Sequence, residues 1–519
     1  MIDLAVRGGA LIDGTGEDAR EVDVGIDGDS IVALGSVPEA RRVIDARGKV
    51  VAPGFIDVQS QSVLTLLADG RGQSHLRQGI TTEIVGEGGS PGQLTKKILA
   101  EDARWGQWLA QLDVKLDWEG FTGWFARLER QGISPNVGAF ASVDLLRAEA
   151  MGLADRAPTN DEQARMEALL DRCMSEGTFG LATALVYPPS CYTTTDEIVG
   201  LARVAAKHGG RYASHVRGES GRVFDAIGEA IAIGERAELP VLVYHLKIAG
   251  RPNWGRMNDV GALIEGARSR GVAISACQYP YAAAGTGICA PIPDWAQEGG
   301  PNALLERLRH PEMRARIRRE METRDALLGR VDFEAIEVNG RRVAELARER
   351  GKDQFETYFD LVEQHRANLF VIFHSMSEDD VRLAMRYPWV SIASDAEATS
   401  EEQGLVVHPR AYGTFPRVLG RYVREENVLA LPEAIRKMTS LPASQLGITD
   451  RGIVREGAFA DLVVFDPSTV RDTATFDAPH SFPIGIETVI VNGVVTVEGA
   501  EHTGKRAGRA LRKPRNRSS

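Results

Sequence analysis

The chain opens and closes on short stretches in which polar and apolar residues alternate. Near the start, Glu21-Val22-Asp23-Val24-Gly25-Ile26 alternates, Asp27-Gly28-Asp29 turns, and Ser30-Ile31-Val32-Ala33-Leu34 resumes. This period of two predicts paired strands. Near the end, Ala460 to Pro467 reads as one strand stopped by a proline. Beyond it, Val489-Ile490-Val491 and Val494-Val495-Thr496-Val497 flank Asn492-Gly493, a strong hairpin signal. Neither end is long enough to bury a core alone. The two are therefore expected to pair as one small β-sandwich, residues 1–52 and 451–503.

Between them the pattern changes to short apolar runs separated by amphipathic segments. Buried strands are expected at Gly54–Val58, Thr82–Val85, Val137–Ala141, Gly180–Ala184, Arg211–His215, Val241–His245, Ala273–Cys277 and Val390–Ser394. Helices such as Asp161–Ser175 and Asp196–Lys207 separate most of them. Such alternation implies parallel βα units, and eight strands predict an α/β fold of the (β/α)8 TIM-barrel kind over residues 53–450. Charged helices such as Pro311–Arg324 interrupt the rhythm between about 290 and 370. That segment reads as an insertion before the last strand, either a lid over the rim or a surface excursion. A further apolar run, Leu369–Phe373, leaves the strand count open by one.

Composition narrows the function. The chain has 519 residues, 43% hydrophobic and 26% charged, with a formal net charge of -11. That charge argues against general binding to nucleic acid or anionic membranes. The exception is the basic tail of residues 504–519, carrying Lys505, Arg506, Arg509, Arg512, Lys513, Arg515 and Arg517. It is expected to be frayed and solvated, a docking arm being the minority reading. Four cysteines without a CxxC pair fit a reducing compartment. No export signal or bilayer-spanning run is recognisable, so the cytoplasm is expected.

In a barrel of this kind, functional side chains project from the carboxyl ends of the strands. There the chain presents Gln59 and Gln61, Glu87, Tyr187, His215 and Arg217, His245 and Lys247, Tyr279, and finally Asp395. A lone histidine after an apolar run is usually a packed core residue. Two at successive strand ends, with an aspartate at a third, point instead to a hydrolytic metal site. His374, just before the last strand, is a weaker candidate.

These residues and several motifs resemble the amidohydrolase superfamily, within it the D-aminoacylase and N-acyl-D-amino-acid deacylase group. The likeness spans nearly the whole chain. It rests on Gly9 to Gly16, Ala52-Pro53-Gly54-Phe55-Ile56-Asp57, Gln78-Gly79-Ile80-Thr81-Thr82, Tyr187-Pro188-Pro189, His245-Leu246-Lys247, His408-Pro409-Arg410, Gly413 to Gly420, and Gly457 to Asp466. The resemblance implies that His215 and His245 bind a zinc ion and that Asp395 is the general base and acid. It also implies that Lys247, Arg410, Tyr187 and Tyr279 grip the substrate, Arg410 taking a free carboxylate.

The chain departs from its relatives at three positions. Where the superfamily has His-x-His after the first strand, this chain has Gln59 and Gln61; where the deacylases have a cysteine, it has Gly88. A neutral amide is a weak ligand for zinc, so a single Zn2+ held by Glu87, His215 and His245 is expected. The alternative for Glu87 is a rim carboxylate paired with Arg217 or Lys247. Gln59 and Gln61 are then expected to hydrogen-bond the substrate or the attacking water. The leading function is hydrolysis of the amide of N-acyl-D-amino acids or similar small amides. One alternative is a hydrolase of cyclic imides, carbamoyl groups or D-dipeptides. The other is a metal-free barrel acting as a binding protein. The expected partner is a small molecule, with self-association left open.

Overall fold

The computed structural model describes residues 1–324 and 329–513. Its centre is a set of eight parallel strands: β1 Phe55–Asp57, β2 Ile80–Val85, β3 Asn136–Ala139, β4 Gly180–Ala184, β5 Arg211–His215, β6 Val241–Val243, β7 Ile274–Gln278 and β8 Val390–Ile392. One sheet runs β3-β2-β1. After Phe140, the chain of β3 resumes at Ala141–Ser142 and starts a second parallel sheet that continues through β4, β5, β6, β7 and β8. Phe140 donates its backbone N–H to Val85 across that break, at 2.8 Å. At the other side, the backbone N–H of Asp395, just past β8, donates to the carbonyl of Gln59, just past β1, at 2.9 Å.

Strands β2 and β4 are buried along their whole length, as parallel strands covered on both faces must be. The covering helices are amphipathic. Helix Asn160–Ser175 starts at a capping box, Thr159 with Glu162, and turns Met166, Leu170, Cys173 and Met174 inward. The expected strands and helices agree with these to within a few residues.

The insertion between β7 and β8 has strands and helices of its own. Its antiparallel sheet has the order Ala284–Gly287, Phe370–Phe373, Ile336–Val338, Arg341–Arg342, and it has its own core around Leu304, Ile317, Tyr358 and Phe359. The run Leu369–Phe373 therefore belongs to the insertion, not to the parallel set.

The chain ends do pair. Strand Val50–Pro53 lies antiparallel to Leu462–Phe465, with Val51 opposite Val464, inside a seven-stranded sheet. A four-stranded sheet of Ile2–Arg7, Val24–Asp27, Ser30–Leu34 and Ala40–Asp45 shares its core through Val6, Ile26, Leu462 and Ile490.

The tail corrects an expectation. From Arg506 to Lys513 the chain is docked. Ala510 bridges Val137 alongside β3, Leu511 donates to the Val137 carbonyl at 2.7 Å, and Arg512 pairs with Glu129 at 3.0 Å. Backbone pairing and burial of Ala510 hold this stretch against the fraying usual at chain ends. Arg515 and Arg517 lie outside the described residues. Among the described residues, no helix is long and apolar enough to cross a membrane.

Candidate active site

Residues at or just beyond the carboxyl ends of seven strands, all but β3, line a cavity of about 200 Å³. His215 is the last residue of β5. His245 follows β6 by two residues in a left-handed backbone conformation, φ 33°, and Asp395 follows β8 at φ 50°. Such backbone costs a non-glycine residue on the order of 1–3 kcal/mol and is retained where it aims a functional side chain. Glu87 sits between Gly86 and Gly88, both at positive φ. A Cβ on Gly86 would meet the Phe140 carbonyl oxygen at 2.5 Å, so only glycine lets the turn deliver Glu87 inward.

Glu87 is the hub. Its Oε1 lies 2.8 Å from His215 Nδ1 and 3.1 Å from His245 Nε2, and those two nitrogens are 3.0 Å apart. All three side chains are nearly buried. Burial would raise the Glu87 carboxyl, but the His245 and His215 imidazoles more than offset it and hold it well below the usual range. His215 is pushed down, chiefly by burial. Burial and Lys247 oppose protonation of His245, yet Glu87, Glu219 and Asp395 raise it to about 9.

The sequence did not single out Glu219. It follows His215 by four residues, in the loop after β5, and is buried. Its Oε1 takes the Lys247 ammonium at 2.5 Å and lies 3.0 Å from His245 Nδ1 and 3.5 Å from His215 Nε2. Burial disfavours its charge, but Lys247 and the two histidines hold the carboxyl far below its ordinary value. His245 Nδ1 is also 2.6 Å from the Lys247 ammonium, so Glu219 and Lys247 together hold that nitrogen and leave Nε2 facing Glu87.

Asp395 completes the floor. Its Oδ2 pairs with Arg410 Nη1 at 2.9 Å, and its Oδ1 accepts from Gln61 Nε2 at 3.0 Å and Gln59 Nε2 at 3.4 Å. Arg410 opens helix Arg410–Arg417, lies over the Tyr279 ring at 4.7 Å and reaches the Gly285 carbonyl. Its Nε is buried with no hydrogen-bond partner. Tyr187 bonds Thr286 at 2.6 Å. Gly285 and Thr286 come from the first strand of the insertion, which thus walls the site rather than standing apart from it.

Most of the expected residues meet here: Gln61, Glu87, Tyr187, His215, His245, Lys247, Tyr279, Asp395 and Arg410 all line the cavity. Gln59 does not. It is 1% exposed, and both of its amide atoms are engaged within the protein, which corrects its expected place as a substrate contact. Gln61 faces Glu87 and Asp395. The alternative partners of Glu87 are taken elsewhere, Arg217 by Glu229 and Lys247 by Glu219. His374 pairs with Glu337 in the insertion and is not part of the site. A second chamber of about 490 Å³ adjoins the cavity, sharing Gly88, Trp108, Tyr187, Phe370 and Glu397. Glu397, also missed, has its carboxyl raised by burial.

The Glu87, His215 and His245 donors fit a cation. They lie within 4.8 Å of one another, and the three closest separations are 2.8 to 3.1 Å. Four ligands in a tetrahedron about 2.0–2.1 Å from zinc stand about 3.3 Å apart, so a small outward adjustment would admit one ion. Two imidazoles, once His245 has given up its proton, and a carboxylate are ligands zinc favours.

The amidohydrolase family profile matches residues 42–497. A D-aminoacylase of Alcaligenes xylosoxydans xylosoxydans is 34% identical, over 98% of this chain and 97% of its own. An N-acyl-D-glutamate deacylase of the same organism is 34% identical, over 99% and 97%. A crystal structure of N-acyl-D-glutamate deacylase from Bordetella bronchiseptica, complexed with zinc and a phosphonate mimic of the tetrahedral intermediate, superposes with TM-score 0.82. It is 32% identical and covers 98% of this chain and 99% of that one. A structure of D-aminoacylase with a binuclear metal centre, described by one-metal activation and second-metal attenuation, gives TM-score 0.83 at 32% identity, covering 99% and 100%.

Proposed function

This chain belongs to the amidohydrolase family, and on that premise we propose that it is a metal-dependent hydrolase cleaving the amide bond of N-acyl-D-amino acids. The observation that carries the reading is the convergence of Glu87, His215 and His245 beside the Asp395 carboxylate. Likeness to deacylases over both full lengths supports it. Likeness to a D-hydantoinase, at 16% identity and TM-score 0.58, speaks for fold alone, and no feature of the cavity favours a cyclic imide or a purely binding role.

We read the eight strands as a closed (β/α)8 barrel over residues 53–450, the Asp395–Gln59 backbone bond joining last strand to first. Residues 1–52 and 451–503 then form the accompanying sandwich. Unpaired cysteines fit the cytoplasm as the compartment.

Glu87, His215 and His245 would hold one divalent ion, zinc by ligand preference. When bound, that ion supplies polarisation of the acyl carbonyl and acidification of water. The protein's own groups do the rest. Arg410 offers its unengaged Nε to the substrate carboxylate, and the Tyr279 ring beneath it fixes the guanidinium plane. Asp395 removes a proton from the attacking water and delivers it to the departing nitrogen. Lys247, held by Glu219, and Tyr187, which also lines the cavity, donate to the oxygen that gains charge. Zinc-loaded protein assayed against N-acetyl-D- and N-acetyl-L-amino acids beside hydantoins tests this. Release of free D-amino acids supports the reading, and turnover of rings alone overturns it.

A further inference from the structure

Gln59 and Gln61 stand where relatives are expected to carry metal-binding histidines, and the structure fixes which way each amide faces. Gln59 Oε1 accepts from the backbone N–H of His245 at 3.1 Å and from the Cys277 thiol at 3.1 Å. A backbone N–H can only donate, so the carbonyl end is committed and the amino end must point the other way. There Nε2 donates to Glu87 Oε2 and, at 3.4 Å, to Asp395 Oδ1. Gln61 Nε2 donates to the same two oxygens, at 2.8 and 3.0 Å. Only an amino group can face two carboxylates at once. Gln59 ties the end of β1 to β2, β6, β7 and β8 in this way.

Two carboxylate oxygens turned toward one point repel each other unless positive charge stands between them. In a two-ion centre a second cation would do that work. We propose that in this protein the amide N–H groups of Gln59 and Gln61 take the place of that second cation, so that the site accepts one divalent ion only. They also hold Asp395, as positioning residues, in the orientation its proton transfer needs. The Gln59 amide oxygen is taken by the His245 N–H and the Cys277 thiol, and Gln61 turns its amino group, not its oxygen, to Glu87 and Asp395. Gly88 offers no side chain either, and a Cβ there would touch only Ala184, at 3.8 Å.

This inference rests on the one-ion reading of Glu87, His215 and His245, and one experiment separates the two. Chelator-stripped protein is titrated with zinc by calorimetry, then passed through a desalting column and analysed for metal. The expected result is one zinc per chain, with activity flat in tenfold excess zinc, unlike the D-aminoacylase attenuated by its second metal. Gln61→Glu, which replaces a donor with a third carboxylate, should raise the count toward two. Two ions in the unaltered protein, or a count of one in Gln61→Glu, would overturn the inference while leaving the metal site standing. No bound zinc at all would instead remove the site on which both readings depend.

Discussion

His215 Nδ1 and His245 Nε2, from adjacent strands, stand 3.0 Å apart and meet the same oxygen of Glu87. The imidazole planes are nearly perpendicular, at 86°, and both nitrogens face the same carboxylate oxygen. Two basic nitrogens this close repel if both are protonated. The arrangement is stable with a shared proton on the carboxylate side or a shared metal ion.

Asp395 carries the proton transfer in this account without binding the ion. Asp395→Asn keeps the shape but removes the base. Turnover should fall by about 10²–10⁴-fold, with zinc content unchanged by elemental analysis. Full activity in Asp395→Asn would remove the residue from the mechanism.

Glu219 touches both His245 and Lys247. Glu219→Gln should weaken zinc affinity by about 10–100-fold, as loss of an orienting carboxylate does at other metal sites. Competition with a chelator of known affinity measures this. An unaltered affinity would mean that the contact orients nothing.

Arg410 is assigned to the substrate carboxylate. Arg410→Lys keeps a charge and loses the planar fork. Loss of a charged hydrogen bond of about 1.5–3 kcal/mol raises KM roughly 10–100-fold for an N-acyl-D-amino acid. The matching N-acyl-D-amino amide, with no free carboxylate, should show little change in KM. Equal effects on both substrates would contradict the assignment.

Asp144 gives a pH dependence away from the metal. Burial pushes its carboxyl up to about 7, against the Ser142 hydroxyl bond that pulls it down. The folded state therefore favours the neutral form. That contribution is present below the ordinary carboxylate value and is lost as pH rises toward about 7. Asp144→Asn should be more stable than the parent at pH 8 and closer to it at pH 5, by thermal melting. A difference independent of pH would show that the carboxyl is ionised throughout.

Much of this was legible along the chain, and the failures are local. The Arg211–His215 run and the Asn160–Ser175 helix announce themselves because strand and helix each impose a period on their apolar residues. The strand-end position of His215, His245 and Asp395 follows from the same pattern. Glu219 was invisible because Gly218-Glu219-Ser220 is a loop without period, and its partners approach only once β5 and β6 are side by side. Gln59 was misread for a similar reason. Its oxygen is claimed by the backbone of His245, a contact that residue types alone do not disclose. The docked tail depends on β3, far away in the chain, and basic composition carries no sign of backbone pairing.

The central claim is that Glu87, His215 and His245 share one ion. Crystals of the zinc-loaded protein, measured at the zinc absorption edge, test it directly. The account predicts a single anomalous peak about 2.0–2.2 Å from His215 Nδ1, His245 Nε2 and a Glu87 carboxylate oxygen. A peak bonded to other residues, or none between those three, would contradict it.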